Sequence, residues 1–290
     1  MNLAEFISTQ SPILLDGAMG TQLDAAGLEM GGQNCIHHPD AVLAVHNRYA
    51  ELGCDLLITN TLTMNRISIE SHKLDINVRD VNHAGAKLAK AAAKPGQYAL
   101  GDISSTGQLL EPYGDYSEES FIETFKEQAE FLQAGGVDGF IIETIMDLRE
   151  AICAVKGCRS VSDLPVLVTL SFQTVENEGR TLMGNTARDT ALALADVGAT
   201  AVGTNCGGLD PYETAKIIEM MREVVDLPLI AQPNAGKPRL VGTETVFDMS
   251  PEEFARGISA CIDAGASLIG GCCGTSPAHM DAVAKMLGKG

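Results

Sequence analysis

The sequence of 290 residues contains no tryptophan, and aromatic residues make up only 4% of it. Its hydrophobic fraction of 45% is nevertheless ordinary for a globular protein with a buried core. We therefore expect a core built from Ala, Val, Leu, Ile and Met side chains.

Basic residues are also scarce, with 20 Lys and Arg against 38 Asp and Glu and a net charge of −18. An acidic surface repels phosphate backbones and anionic lipids, so we expect neither nucleic acid nor a membrane among the partners. No uninterrupted apolar run reaches the ~18 residues of a transmembrane helix. The first twelve residues lack the basic and apolar regions of a signal peptide. These features predict a cytoplasmic protein.

A repeated pattern organises the chain: an amphipathic helix, a glycine, then a short apolar strand. The glycines of four copies are Gly53, Gly135, Gly198 and Gly265. Each is expected to end its helix in the left-handed conformation that glycine adopts without steric cost. The apolar runs that follow are typical of strands buried on both faces.

Helix starts are marked as clearly as helix ends. Asp210 and Ser250 are each followed by a proline and, three residues on, by a glutamate. An N-cap residue, a proline in the first turn and a glutamate at the third helical position together predict the beginning of a helix. Ser276-Pro277 predicts a third such beginning.

Eight strands are predicted, each separated from the next by enough chain for a crossover helix. Eight such units in about 250 residues or more predict a single-domain (β/α)8 barrel over residues 1–290. A doubly wound open sheet is the alternative, but no Gly-x-Gly-x-x-Gly pattern follows the first strand. The predicted strands are Ile13–Asp16, Leu56–Asn60, Tyr98–Ile103, Phe140–Thr144, Val166–Ser171, Ala201–Asn205, Leu229–Pro233 and Ser267–Cys272.

Three of the eight cysteines fall where the sixth and eighth strands end. In a reducing compartment, clustered cysteines indicate metal binding or catalysis. Cys206, Cys272 and Cys273 would meet at the rim that carries the active site of such barrels, and three thiolates there would leave one tetrahedral position of a zinc ion open. The alternative is that they are small buried core residues. We interpret the other five as structural: Cys35 in a loop, Cys54 before a strand, and Cys153, Cys158 and Cys261 on helices.

Two carboxylates, Asp16 and Glu143, end strands at the same rim. A carboxylate that ends a buried strand needs a partner, which could be a substrate ammonium group or, alternatively, an arginine or backbone amides. The histidines are predicted to have no role in the site. His37 and His38 precede a helix start, and the other four fall on predicted helices away from the rim: His46, His72, His83 and His279.

Seven stretches in chain order resemble the homocysteine S-methyltransferase family, most closely the homocysteine-binding barrel of its cobalamin-dependent methionine synthase branch. The resemblance covers essentially the whole chain, and the Cys-Cys motif of the eighth strand is its most specific part. The stretches are Leu15–Leu23, Thr59–Thr61, Gly107–Gly114, Ile142–Thr144, Gly203–Cys206, Pro233–Gly236 and Ile269–Thr275.

The resemblance implies that zinc is held by Cys206, Cys272 and Cys273. It also implies that Asp16, Gly17 and Glu143 contact the amino-acid end of homocysteine. Two further residues match family positions in the pocket beside the metal, Asn205 and Asn234. No separate catalytic residue is expected.

The implied reaction is methyl transfer to the thiol of homocysteine, giving methionine. No folate, cobalamin or reactivation module is recognised in the sequence, so we expect the methyl donor to be free or carried on a partner protein. The resemblance to the cobalamin-dependent branch implies that this donor is a methyl-corrinoid. Betaine or S-methylmethionine as donor, another thiol as acceptor, and demethylation of a methylated compound are alternatives. A non-catalytic homocysteine- or zinc-binding module is an alternative of a different class.

Overall fold

A computed structural model describes residues 1–242 and 244–289. Its main sheet has eight parallel strands, and each pairs with the next one along the chain. The first and second strands close the ring, because the amide of Asp16 donates to Leu56 O at 3.0 Å and that of Asp55 donates to Leu14 O at 2.7 Å. This confirms the (β/α)8 barrel and excludes the open sheet. The barrel strands, called first to eighth below, are Ile13–Leu14, Leu56–Ile58, Tyr98–Ile103, Gly139–Ile145, Val166–Leu170, Ala201–Asn205, Leu229–Gln232 and Ala266–Ile269.

Twelve helices of the described residues lie around and below the barrel. None of them is long and apolar enough to cross a membrane. They are α1 Leu3–Thr9, α2 Gly20–Ala25, α3 Asn34–His37, α4 Pro39–Glu51, α5 Arg66–Ser71, α6 Val78–Ala92, α7 Glu118–Gly135, α8 Leu148–Val161, α9 Ala187–Asp196, α10 Pro211–Arg222, α11 Pro251–Asp263 and α12 Pro277–Met286.

The core has two parts. Aliphatic side chains of the barrel strands fill the barrel interior, and Leu3 and Ile7 of α1 pack against them. A larger core lies between the strands and the outer helices. The expectation of a purely aliphatic core is wrong, because six aromatic side chains in this outer layer are fully buried: Tyr49, Phe121, Phe125, Phe140, Phe172 and Phe254.

The predicted helix boundaries are mostly confirmed. Asp210 caps α10 by accepting from the amide of Glu213 at 2.9 Å, and Ser250 caps α11 in the same way at 3.2 Å. Ser276 precedes α12 and forms a capping box with it. Left-handed glycines follow three helices as expected, with φ of +86° at Gly53, +94° at Gly198 and +107° at Gly265.

The prediction for Gly135 is wrong. This glycine is the last residue of α7, and the left-handed residue is Gly136, with φ of +96°. A Cβ at Gly135 would lie 2.4 Å from the Cβ of Ala86. Gly135 therefore allows α6 and α7 to pack closely, whereas its neighbour ends the helix.

Two features at the carboxyl end of the barrel differ from the prediction. The eighth strand ends at Ile269, so Cys272 and Cys273 lie in the loop that follows it. Two hairpins rise from the loops after the fifth and seventh strands, Phe172–Thr174 with Arg180–Thr181 and Arg239–Val241 with Glu244–Val246. Neither hairpin is among the eight strands predicted from the sequence, because these strands are only two or three residues long.

We predict that Gly203→Ala destabilises the barrel by more than about 3 kcal/mol, because a side chain there cannot be accommodated without moving backbone. An ideal Cβ at Gly203 would lie 2.0 Å from Ile230 O in the neighbouring strand. Chemical denaturation followed by circular dichroism measures the loss. The control is Gly96→Ala, whose Cβ has open space and meets only the left-handed φ of +89°, for which about 1–2 kcal/mol is expected. Equal losses in the two variants would contradict the predicted clash.

Candidate metal centre and substrate pocket

The structure brings Cys206, Cys272 and Cys273 together at the carboxyl end of the barrel. Their three Sγ atoms lie within 4.8 Å of one another, and those of Cys206 and Cys273 are 3.9 Å apart. All three side chains are partly exposed. Among the described residues, this is the only group of three or more His, Cys, Asp or Glu side chains close enough to share one metal ion.

The loop after the seventh strand joins the two cysteine loops through backbone hydrogen bonds. The amide of Cys206 donates to Gln232 O at 3.3 Å, and the amide of Cys272 donates to Pro233 O at 2.9 Å. The amide of Ala235 in turn donates to Cys273 O at 3.0 Å. The sulfurs are thus brought together by a backbone framework that spans three neighbouring strands.

Cys206 has a backbone conformation that is rare for its residue type. Its φ is +53°, and that of Gly207 is +73°. A left-handed conformation at a residue other than glycine costs about 1–3 kcal/mol and is found where the surrounding structure enforces it, often at functional sites. Gly207 could not carry a side chain either, since a Cβ there would lie 2.3 Å from Phe172 O. The chain thus turns sharply where the sixth strand ends.

Cys272 and Cys273 lie in a turn, which corrects the expectation that they lie at the end of the eighth strand. Thr275 closes this turn, because both its amide and its Oγ1 donate to Cys272 O, at 3.1 and 2.7 Å. Adjacent residues of a strand point in opposite directions. The turn removes this restriction, so both sulfurs can approach Cys206.

The three thiols do not ionise alike. Hydrogen bonds from Cys206 and Cys272 lower the pKa of the Cys273 thiol. Hydrogen bonds to Cys206 and to Cys273 raise the pKa of the Cys272 thiol. Cys273 is therefore the thiol of the cluster that loses its proton most readily, and the thiolate is the form that binds metal.

The five remaining cysteines are buried and free, and the structure places them away from this cluster. Burial raises the pKa of Cys35, Cys153, Cys158 and Cys261 to about 12. Burial also raises the pKa of Cys54. Cys35 lies in the short helix α3, not in the predicted loop. Buried thiols of raised pKa are chemically inert, which agrees with a structural role.

A cavity of about 320 Å³ opens beside the cysteine cluster at the carboxyl end of the barrel. Its walls include the three cysteines and three of the predicted substrate-binding residues, Asp16, Gly17 and Glu143. They also include Asp102, Gln232 and Thr21, which the sequence analysis did not select. No lysine, arginine or histidine lines it within the described part of the chain. The cavity is therefore rich in acidic groups and lacks a cation.

Asp16 is 2% exposed and accepts a hydrogen bond from the amide of Ile58 at 2.9 Å. Burial raises its pKa, and the hydrogen bond from Ile58 opposes this effect in part. One of the alternative partners expected from the sequence, a backbone amide, is thus present.

Glu143 points into the cavity from a β-bulge in the fourth strand. Ile142 pairs with Val168 and Ile145 pairs with Leu170, so three steps on the fourth strand match two on the fifth. Thr144 within the bulge is left-handed, with φ of +60°. Such an extra residue locally bends the strand and changes the direction of its side chains, which is common beside active sites.

The carboxyl group of Glu143 has only weak contacts with protein donors. Gln232 Nε2 lies 3.5 Å and Asn205 Nδ2 lies 3.4 Å from its Oε2. Burial raises its pKa to about 7, and the nearby Cys206 contributes in the same direction. A cationic ligand would relieve the cost of this buried charge.

Asn205 does not line the cavity. It holds the bulge instead: its Oδ1 accepts from the amide of Thr144 at 2.8 Å, and its Nδ2 donates to Thr144 Oγ1 at 2.8 Å. The same Nδ2 lies 3.8 Å from the sulfur of Cys272. Asn205 thus connects the carboxylate side of the pocket to the cysteine cluster.

Asn234 also lies outside the cavity wall, where its Nδ2 donates to Gly207 O at 3.1 Å and supports the turn after Cys206. Gly17 does line the cavity. A Cβ at Gly17 would lie 2.9 Å from both Thr275 Oγ1 and Tyr49 Oη. Glycine is therefore needed where the loop after the first strand meets the loop after the eighth.

The histidines lie outside the cavity wall, as expected from the sequence. His279 makes the clearest structural contacts, with Nδ1 bonded to Ser276 Oγ at 2.9 Å and Nε2 bonded to Met249 O at 2.9 Å. These contacts connect the start of α12 to the loop that carries the second hairpin.

A closed (β/α)8 barrel with a thiol cluster and buried carboxylates at its carboxyl end has the architecture of a barrel enzyme. A sequence model of the homocysteine S-methyltransferase family matches residues 13–287. The chain belongs to this family, which confirms the resemblance found in its sequence.

Two curated relatives are methionine synthases. That of Mycobacterium leprae is 31% identical over 290 residues and is matched by 93% of this chain. That of Mycobacterium tuberculosis is 30% identical over 299 residues and is matched by 96% of this chain. The chain spans only about a quarter of these relatives, 24% and 25% of their lengths.

Solved structures agree on the fold. The metallated form of the homocysteine methyltransferase MmuM from Escherichia coli superimposes with a TM-score of 0.79 at 23% identity, covering 97% of this chain and 98% of that one. Its apo form gives a TM-score of 0.74 at 22% identity, covering 96% and 97%. The carboxyl transferase domain of Rhizobium etli pyruvate carboxylase with pyruvate matches more distantly, with a TM-score of 0.54 at 12% identity, covering 98% and 48%.

Proposed function

We propose that this chain is a zinc-dependent methyltransferase that moves a methyl group to the thiol of homocysteine and forms methionine. The convergence of three cysteine sulfurs beside an acidic cavity is the observation that carries the proposal. Membership of the homocysteine S-methyltransferase family supports the acceptor. We further propose that residues 1–290 act as one homocysteine-binding barrel.

The cysteine cluster fits zinc by its chemistry and its spacing. Thiolates bind zinc at about 2.3 Å, so two sulfurs on a tetrahedral ion lie about 3.8 Å apart. The sulfurs of Cys206 and Cys273 are 3.9 Å apart, and all three lie within 4.8 Å. Cys206, Cys272 and Cys273 would hold the ion, and three protein ligands are typical of catalytic zinc. When bound, zinc would lower the pKa of a thiol brought to it.

The residues of the cavity would bind and orient the acceptor. Asp16 and Glu143 are buried carboxylates facing a cavity without a cation, and an ammonium group complements both. Fixing the amino-acid end of homocysteine at these groups leaves its thiol directed toward the cysteine cluster. Holding the reacting sulfur in one orientation lowers the entropic part of the barrier.

We propose a methyl-corrinoid as the donor, either free or on a partner protein. The support is the resemblance to the cobalamin-dependent branch and the two methionine synthases among the relatives. All eight cysteines are free, and free thiols persist in a reducing compartment. We therefore also propose a cytoplasmic location.

A panel of donors tests the reaction. Zinc-loaded protein with homocysteine should form methionine from methylcobalamin and not from betaine or S-methylmethionine, as measured by mass spectrometry. Turnover with either of the latter would assign the donor to another branch of the family. Binding of homocysteine without turnover of any donor, with methylcobalamin offered both free and on a corrinoid protein, would contradict the proposed activity and support the binding-module alternative.

We predict that Cys272→Ser reduces bound zinc by at least tenfold, since a serine hydroxyl is a much weaker zinc ligand than a thiolate. The number of zinc ions bound per chain is measured after dialysis by elemental mass spectrometry. Cys261→Ser is the matched control, because that thiol is buried under α10 and donates to Pro211 O at 3.3 Å. Full zinc content in the Cys272 variant would remove this residue from the ligand set.

We predict that Glu143→Gln weakens homocysteine binding about 10- to 100-fold, the equivalent of one lost charge-assisted contact. Titration calorimetry of zinc-loaded protein measures the affinity. Zinc content should stay at the level of the unmodified protein, because Glu143 is not a ligand in the proposal. Parallel loss of zinc and homocysteine would instead assign Glu143 to the support of the metal centre.

A further inference from the structure

Asp102 is the last residue but one of the third strand and is 4% exposed. Its backbone is firmly held, since its amide donates to Thr59 Oγ1 at 2.8 Å and its carbonyl accepts from Thr61 Oγ1 at 2.8 Å. Its carboxyl group differs: Oδ1 is buried and has no hydrogen-bond partner among the described residues. The fold therefore fixes the position of a carboxyl group whose partner must come from elsewhere.

The cavity places Asp102 beside two other carboxyl groups, those of Asp16 and Glu143. These two have protein donors, the Ile58 amide for Asp16 and the weak amide contacts for Glu143. Burial raises the pKa of Asp102, and the charges of Glu143 and Asp16 raise it further. Leaving a buried polar group unpaired costs about 1–3 kcal/mol, and more for a charge. A ligand that supplies donors and positive charge would recover this energy.

Gln232 carries a second unpaired acceptor on the same wall. Its Oε1 is buried without a hydrogen-bond partner in the described ranges, while its Nε2 faces Glu143. The two unpaired atoms, Asp102 Oδ1 and Gln232 Oε1, are therefore both hydrogen-bond acceptors. A ligand group that carries only donors could pair with both of them. An ammonium group carries three N–H donors and no acceptor.

We propose that Asp102 binds the ammonium group of the substrate together with Asp16 and Glu143, and thereby selects amino thiols over thiols that lack an amine. This inference rests on the proposed function and adds a specificity-determining residue to it. A metal ion is the less suitable occupant, because the carboxyl oxygens do not form a group as close as that of the three sulfurs among the described residues. Three carboxyl groups in the wall of one cavity match in number the three donors of an ammonium group.

The test compares homocysteine with 4-mercaptobutanoate, the same molecule without its amine, on zinc-loaded protein. Asp102→Asn should weaken homocysteine binding about 10- to 100-fold in titration calorimetry, as expected for the loss of one charge-assisted contact. Binding of 4-mercaptobutanoate should be unchanged or tighter, since one repulsive carboxylate has been removed. The matched control is Asp163→Asn, an exposed aspartate three residues before the fifth strand and at the opposite end of the barrel.

Each result has a distinct meaning. An equal loss for both ligands would make Asp102 a structural residue and overturn the inference. Unchanged homocysteine affinity in Asp102→Asn would also overturn it, while tight binding by the unmodified protein would leave the proposed function intact. Failure of the unmodified zinc protein to bind homocysteine would refute both.

Melting temperature and zinc content show whether the variant folds. If Asp102→Asn does not fold, Asp102→Ser removes the same charge with a smaller side chain, and the same change in the ratio of the two affinities is expected. An unaltered ratio in that variant would overturn the inference equally.

Discussion

The convergence of three sulfurs depends on backbone hydrogen bonds that join three neighbouring loops. Cys206 and Cys273 follow the sixth and eighth strands, which are not adjacent, and the segment from Gln232 to Ala235 lies between them and hydrogen-bonds to both sides. Asn234 adds a side-chain bond to Gly207 O. This framework explains how Cys206 is kept in a left-handed conformation that an isolated chain would avoid.

The second constraint is charge. The cavity beside the sulfurs has three carboxyl groups and no basic side chain in its described wall, and burial raises the pKa of each of these groups. A divalent metal at the sulfurs and an ammonium group at the carboxyl groups would neutralise the two ends of the cavity separately. Asn205 lies between these ends, with contacts to both Thr144 and Cys272, and thus fixes their spacing. The acidic surface of the whole chain has no such local role.

The barrel could be predicted from the sequence because its information is local. Glycines mark the ends of helices, N-cap residues followed by proline mark their beginnings, and eight apolar runs have the length of strands. The convergence of the three cysteines could also be predicted, since the carboxyl ends of all strands of a barrel lie on one rim. The hairpins in the loops after the fifth and seventh strands could not be predicted, because strands of two or three residues have too little periodicity to detect. Gly135 shows the same limit, since its role is a contact with Ala86, far away along the chain.

Side-chain roles were harder to predict than positions. Asn205 and Asn234 were expected in the pocket, but their amides support the bulge and the turn from behind it. Asp102 lies near the carboxyl end of a predicted buried strand, as Asp16 does, and that feature could have identified it. The bulge that directs Glu143 into the cavity depends on pairing with the fifth strand, which no single stretch of sequence encodes.

The ligand set of the metal is tested most directly by X-ray absorption at the zinc edge of the purified, zinc-loaded protein. Three sulfur neighbours at about 2.3 Å are expected, from Cys206, Cys272 and Cys273. A shell with fewer than three protein sulfurs, or one dominated by nitrogen, would contradict the central claim. Reduced protein that takes up no zinc would do the same.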